Sequence, residues 1–108
     1  MNKKETTVAA KASAPKKSLI IDGKEYPCFQ TLGANFDFKD VTGKEISKID
    51  PESVTELTVY IWATIKGACK RQGVDFPYET PRELAYHLDE GSIEEWSAIM
   101  ETNVSKKK

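Results

Sequence analysis

The sequence predicts an α+β fold, a short N-terminal β-hairpin packed on a small, mainly helical domain of about four helices. Three observations lead there. Two β-prone runs flank Asp22-Gly23, a long apolar stretch lies between Asp50-Pro51 and Gly73, and two further helix-start patterns follow it. The chain has 108 residues, a length that accommodates one domain with a modest core. A hydrophobic content of 39% with 31% charged residues places it among globular rather than disordered chains.

Residues 1–17 combine five lysines with Ala, Thr and Ser and contain no aromatic residue. They read as a flexible basic tail, the last residues 105–108 as a second one, and residues 18–104 as the single globular domain. No stretch in the N-terminal region is apolar enough for a signal peptide. The hairpin follows. Leu19–Ile21 and Glu25–Phe29 are its strands, and Asp-Gly tolerates the positive φ of a type I′ turn. Pro27 cannot donate to a ladder, so the second strand is expected to lie at an edge or to bulge there.

Thr31 caps a helix from Leu32 to about Thr42, and Gly43 stops it. Leu32 and Phe36 share one face at i,i+4, whereas Ala34, Phe38 and Val41 lie toward the other, so the helix is expected to be covered on two sides. Asp50 as cap with Pro51 at the first helical position opens the long helix, which Gly73 closes after Gln72. Along it Val54, Leu57, Ile61, Ile65 and Ala68 form one narrow stripe. The unbroken apolar run is shorter than the roughly 20 residues a bilayer needs, so the helix reads as the spine of a domain and not as a membrane anchor. Thr80-Pro81 with Glu83 starts a short helix to Leu88. Asp89-Glu90-Gly91 breaks the chain, and Ser92 with Glu95 starts the last helix, from Ile93 to about Thr102. The expected core is Leu32, Phe36, Leu57, Ile61, Ile65, Leu84, Leu88 and Trp96.

Chemistry-bearing patterns are sparse. His87 is the single histidine, and Cys28 and Cys69 stand far apart with no CxxC, so both read as free thiols in a reducing compartment. No nucleophile motif, metal-ligand spacing, GxGxxG or Walker loop is present, so no catalytic, metal or cofactor site is expected. Asp89, Glu90, Glu94 and Glu95 read as solvated charges at a helix start. Lys66, Lys70 and Arg71 form a thin basic cluster, and with a net charge of −1 no specific nucleic-acid binding is expected. One pattern points instead to a protein partner. Val59, Ala63 and Gly67 recur at i,i+4,i+8 opposite the main stripe, a small-residue track along which another backbone can approach closely. Tyr60 borders it, and Phe76 and Tyr78 are aromatic in the loop beyond. These six are the candidate partner-binding residues, with a second internal helix as the competing occupant of the track.

Taken in order, the hairpin IDGKEYPC, the segment TLGANFDFKDVTGKEIS, the helix TVYIWATIKGACKRQGVDF and the segments PRELAYHLD and IEEWSAIM resemble the small tail assembly chaperones of tailed bacteriophages and prophages. The resemblance covers about Ser18 to Thr102 and lies in order and spacing, without an invariant motif. It implies a non-enzymatic protein in the bacterial host's cytoplasm that binds the tape-measure protein and helps recruit tail-tube subunits. The matching positions are the Thr42-Gly43-Lys44 turn, Trp62 and the Gly73–Phe76 loop, and the basic N-terminal tail departs from the simplest family pattern. Homo-oligomerisation is left open. The competing readings are a small phage-encoded, nucleic-acid-associated regulator using the basic tails, and, last, a small enzyme.

Overall fold

The computed structural model describes the backbone of residues 18–105 and the side chains of residues 18–101, so the segment 1–17 and the terminal lysines, expected to be tails, lie outside the described residues. The fold is α+β: an antiparallel hairpin followed by four helices. Strands β1 (Ser18–Ile21) and β2 (Lys24–Pro27) pair with Leu19 opposite Tyr26 and Ile21 opposite Lys24. Asp22 and Gly23 both take positive φ, 52° and 80°, as the two-residue turn demands. Period-two alternation buries Leu19, Ile21 and Tyr26 and leaves Ile20 outside. Pro27 falls at the end of its strand, where its missing donor costs least.

Helix α1 (Leu32–Thr42) begins where Thr31 accepts the Ala34 N–H and ends at Gly43, whose φ of 77° is the left-handed closing conformation. Helix α2 (Val54–Gln72) starts later than the sequence suggests. Ser53, not Asp50, is its cap, accepting from Glu56 N at 3.1 Å. Asp50 and Pro51 form the preceding turn, in which Ser53 N donates to Asp50 O and Glu52 N to Asp50 Oδ1. Pro fits the second position of such a turn as well as it fits a first helical turn, and the sequence alone does not separate the two. The Glu56 carboxylate ties the entry together, accepting from Asp50 N at 2.8 Å and from Lys44 Nζ at 2.7 Å.

Helix α3 is shorter than expected, Pro81–Ala85, with Thr80 as cap. Helix α4 is longer, Glu90–Ser105. Asp89 caps it reciprocally with Ser92: Ser92 N donates to Asp89 Oδ1 at 2.9 Å and Asp89 N to Ser92 Oγ at 3.3 Å. Gly91 therefore sits inside the first turn and breaks nothing. Asp is as good a cap as Ser, and the earlier residue takes the role.

Helix α2 is the hub, packing most extensively on α1 and also on β2, α3 and α4, while α4 covers β1. From Val59 to Cys69 it is buried nearly all round, through Ile61, Trp62, Ala63, Thr64, Ile65 and Ala68. A helix apolar on every side is a central one, which is what the run VYIWATI encodes. Thr64 is the one fully buried polar side chain there, and its hydroxyl donates to Tyr60 O at 2.7 Å. Ile61 is 0% exposed. Truncating it to Ala is expected to cost about 2–5 kcal/mol in a denaturant melt. A loss under about 0.5 kcal/mol, the size of a surface change, would mean that this side of α2 is not packed.

The expected core is right for Ile61, Ile65, Leu84 and Trp96, while Leu57 and Leu88 are half-buried. It is wrong for Leu32 and Phe36, which are 77% and 72% exposed. Helix α1 offers two apolar faces and buries the other one, Ala34 and Phe38. The reason lies on α2. Gly67 is so close to α1 that a Cβ placed there would stand 2.5 Å from Thr31 Oγ1 and 3.7 Å from Ala34 N. An approach that close takes the small Ala34 inside and leaves the bulky Leu32 and Phe36 outside. Val41 and Val54, expected to be covered, are also largely exposed.

Candidate functional site

The small-residue track is occupied from within. Gly67 meets Thr31 and Ala34, Tyr60 meets Phe38 edge-on with ring centroids 5.9 Å apart, and Ala63 and Val59 are 0% and 5% exposed. Helix α1 is the second helix that fills the track, so Ala63 is a core residue with no open surface for a partner, and Val59 keeps only a small edge on the groove toward α3. Tyr60 is half-buried, stacks edge-on against Trp96 at 5.1 Å, and donates its hydroxyl to Gln30 Oε1 at 3.1 Å. Burial raises the pKa of its phenol.

The two loop aromatics also turn inward. Phe76 and Tyr78 meet Tyr26 of β2 edge-on at 5.9 and 6.2 Å and each other at 5.3 Å. The Tyr78 carbonyl accepts the Trp62 indole N–H at 3.0 Å, and the His87 ring lies tilted against Tyr78 while its Nδ1 meets the Asp22 carboxylate. This cluster fastens the loop after α2 to the hairpin. Its T-shaped pairs are worth roughly 0.5–1.5 kcal/mol each beyond the area they bury. The six candidate partner-binding residues are thus brought into internal packing on two sides of α2 and do not form one exposed surface. His87 serves as a clamp between the hairpin turn and the segment after α3.

Cys28 and Cys69 are buried free thiols. Desolvation, with Cys69 adding to it, pushes Cys28 up to about 12, and desolvation pushes Cys69 to about 11. Cys28 thus stays protonated at pH 8 and carries little of the reactive thiolate. Neither thiol is therefore expected to react with a disulfide reagent in the folded protein at pH 8, and both should react at once in denaturant. Rapid labelling of the native state would show that the seat of the thiols opens readily. Among the described residues there is no group of three or more His, Cys, Asp or Glu placed to hold a metal ion, and no helix is long and apolar enough to cross a membrane.

What remains open is the outer face of α1. Leu32 and Phe36 stand one helical turn apart on it, the most exposed aliphatic and the most exposed phenylalanine of the described chain. On one flank a groove of about 420 Å³ runs between α1 and the C-terminal half of α2, walled by Phe36, Gly33 and Thr31 and edged by Lys66, Lys70 and Arg71. Lys66 bonds Asp37 at 3.4 Å and lies over the Trp62 ring at 4.8 Å. Lys70 and Arg71 are exposed and have no acidic partner among the described residues. The other flank is a hollow of about 500 Å³ lined by Leu32, Phe36, Asn35, Lys39, Asp40 and Glu45, where Lys39 and Glu45 pair at 2.8 Å. A second groove, of about 460 Å³, is apolar and lies between the end of α1, the start of α2 and α3, lined by Val41, Val54, Val59, Pro81 and Ala85. Sequence reasoning noticed both the Leu32/Phe36 pair and the basic cluster, but assigned the pair to the core and the cluster to helix-end charges. The side of α1 that faces α2 decides this, and no residue of α1 taken alone reveals it.

Compared with models of protein families, with curated proteins and with solved structures, the chain matches none of them.

Proposed function

We propose that this chain is a non-enzymatic tail assembly chaperone of a tailed bacteriophage or prophage, which binds the tape-measure protein and helps tail-tube subunits assemble on it. The observation that carries the reading is the serial order of segments: the hairpin around IDGKEYPC, the helix of TLGANFDFKDVTG, the long helix of TVYIWATIKGACKRQ, then PRELA and the last helix through IEEWSAIM. That order resembles the family over about Ser18 to Thr102. The exposed Leu32/Phe36 pair and the apolar groove beside Val41 and Val54 support an interaction protein, because large apolar side chains grouped on a surface are places where partners bind. The natural client is a protein whose own apolar surface is uncovered until assembly is complete.

The test is co-expression of the full chain with the tape-measure and tail-tube proteins encoded beside its gene. The tape-measure protein is expected to stay soluble and to co-purify with the chain. The reading fails if neither protein is encoded nearby, or if the tape-measure protein is equally soluble without the chain. Saturable, sequence-specific binding to duplex DNA near physiological salt would overturn it in favour of a nucleic-acid-associated regulator.

A further inference from the structure

We infer that the outer face of α1 and the basic groove beside it form the docking site for an acidic, amphipathic helix of a partner protein; this deepens the reading above and takes from it only that the chain binds a protein client.

Three observations carry the inference. Leu32 and Phe36 project from one face at i,i+4 and are both more than two-thirds exposed, the spacing at which one helix presents anchors to another. Phe36, one turn on from Leu32, borders a groove that lies between the two packed helices α1 and α2. Its rim carries three cations against the single carboxylate of Asp37, so among the described residues two positive charges are unanswered at the edge of an apolar surface. An apolar stripe with Asp or Glu along one side answers both features. The apolar residues cover Leu32 and Phe36, and the carboxylates meet Lys70 and Arg71, Arg71 in the bidentate fashion that a guanidinium favours.

The charge of residues 1–17 and 106–108 does not complement this rim. Residues 1–17 hold five lysines and one glutamate, and residues 106–108 are three lysines. A cationic segment is repelled from a cationic rim. The cations at the end of α2 complement its dipole as well, but that role needs neither the exposed Phe36 beside them nor a groove.

The probe is a fluorescein-labelled designed peptide with Leu at i, i+4 and i+8 and Glu along one flank, titrated into the full chain. Its counterpart carries Lys in place of Glu. The Glu peptide is expected to bind on the order of tenfold tighter than the Lys peptide, and its affinity should fall as salt rises. Phe36→Asp should weaken it on the order of tenfold with the melting midpoint unchanged, because the side chain it replaces lies outside. The pair Lys70→Glu and Arg71→Glu should remove the preference for Glu over Lys. Equal affinity for the two peptides, no binding of either, or indifference to Phe36→Asp overturns the proposal. So does sedimentation of the free chain as a dimer that Phe36→Asp dissolves, since the occupant is then a second copy. A Phe36→Asp chain that still co-purifies the tape-measure protein overturns the site and leaves the chaperone reading standing. The expected peptide response in a chain that recovers no tape-measure protein upholds the site and removes the chaperone reading.

Discussion

Replacing Ala63 by Arg is expected to unfold the protein. Ala63 is 0% exposed on the side of α2 that receives α1, with Gly67 and Tyr60 of the same side in contact with α1 one turn away in each direction. There is no room for a long side chain, and among the described residues no buried carboxylate is present to meet its charge. Overpacking alone costs about 1–3 kcal/mol, and an unpaired buried charge adds several more. Native domains hold about 5–15 kcal/mol in total, so the sum removes most or all of the stability. The readout is the soluble yield together with the far-UV circular dichroism melt. A variant that stays folded, with a midpoint within a few degrees of the parent, would mean that α1 does not lie on this side of α2, and the track of small residues would again be open to a partner.

The second large effect separates two phenylalanines that stand two positions apart. Phe38 is 0% exposed and lies edge-on to Tyr60, whereas Phe36 is 72% exposed. Phe38→Ala is expected to cost about 3–5 kcal/mol, through lost burial and the cavity left between α1 and α2. In a domain of this size that lowers the melting midpoint by roughly 10 °C or more. Phe36→Ala should stay within about 0.5 kcal/mol, as a surface change does. The ratio of the two costs reads the orientation of α1 directly. Comparable losses, or the larger loss at Phe36, would mean that α1 is rotated about its axis and that the proposed docking face is core.

The charge network at the entry of α2 adds a dependence on pH. The Lys44 ammonium first, and then the Asp50 backbone N–H, hold the Glu56 carboxyl below its usual value. A carboxylate whose folded pKa is depressed contributes stability that is present above the unfolded pKa and lost as pH falls through the folded one. Glu56→Gln should therefore narrow the gap between neutral and acid stability, since the amide has no proton to take up in that window. An unchanged gap would mean that the Lys44 contact is not kept in solution.

What the sequence determined by itself was local. Asp22-Gly23 permits the positive φ that a tight hairpin needs, and Gly43 and Gly73 supply the left-handed residues that end α1 and α2. Thr31 and Thr80 each cap the helix they precede. The apolar run through VYIWATI marks a central helix whatever packs on it. These features depend on neighbours within a few residues, so the chain carries them openly. The starts of α2 and α4 were less legible because competing caps stand close together, Asp50 with Ser53 and Asp89 with Ser92, and only the packed helix selects between them. The tertiary structure alone decided which face of α1 is inside. Leu32/Phe36 and Ala34/Phe38 are both apolar, and the more hydrophobic pair lost. The close approach at Gly67 admits Ala34, and a residue more than thirty positions away thereby decides that Leu32 and Phe36 face outward as the candidate docking surface.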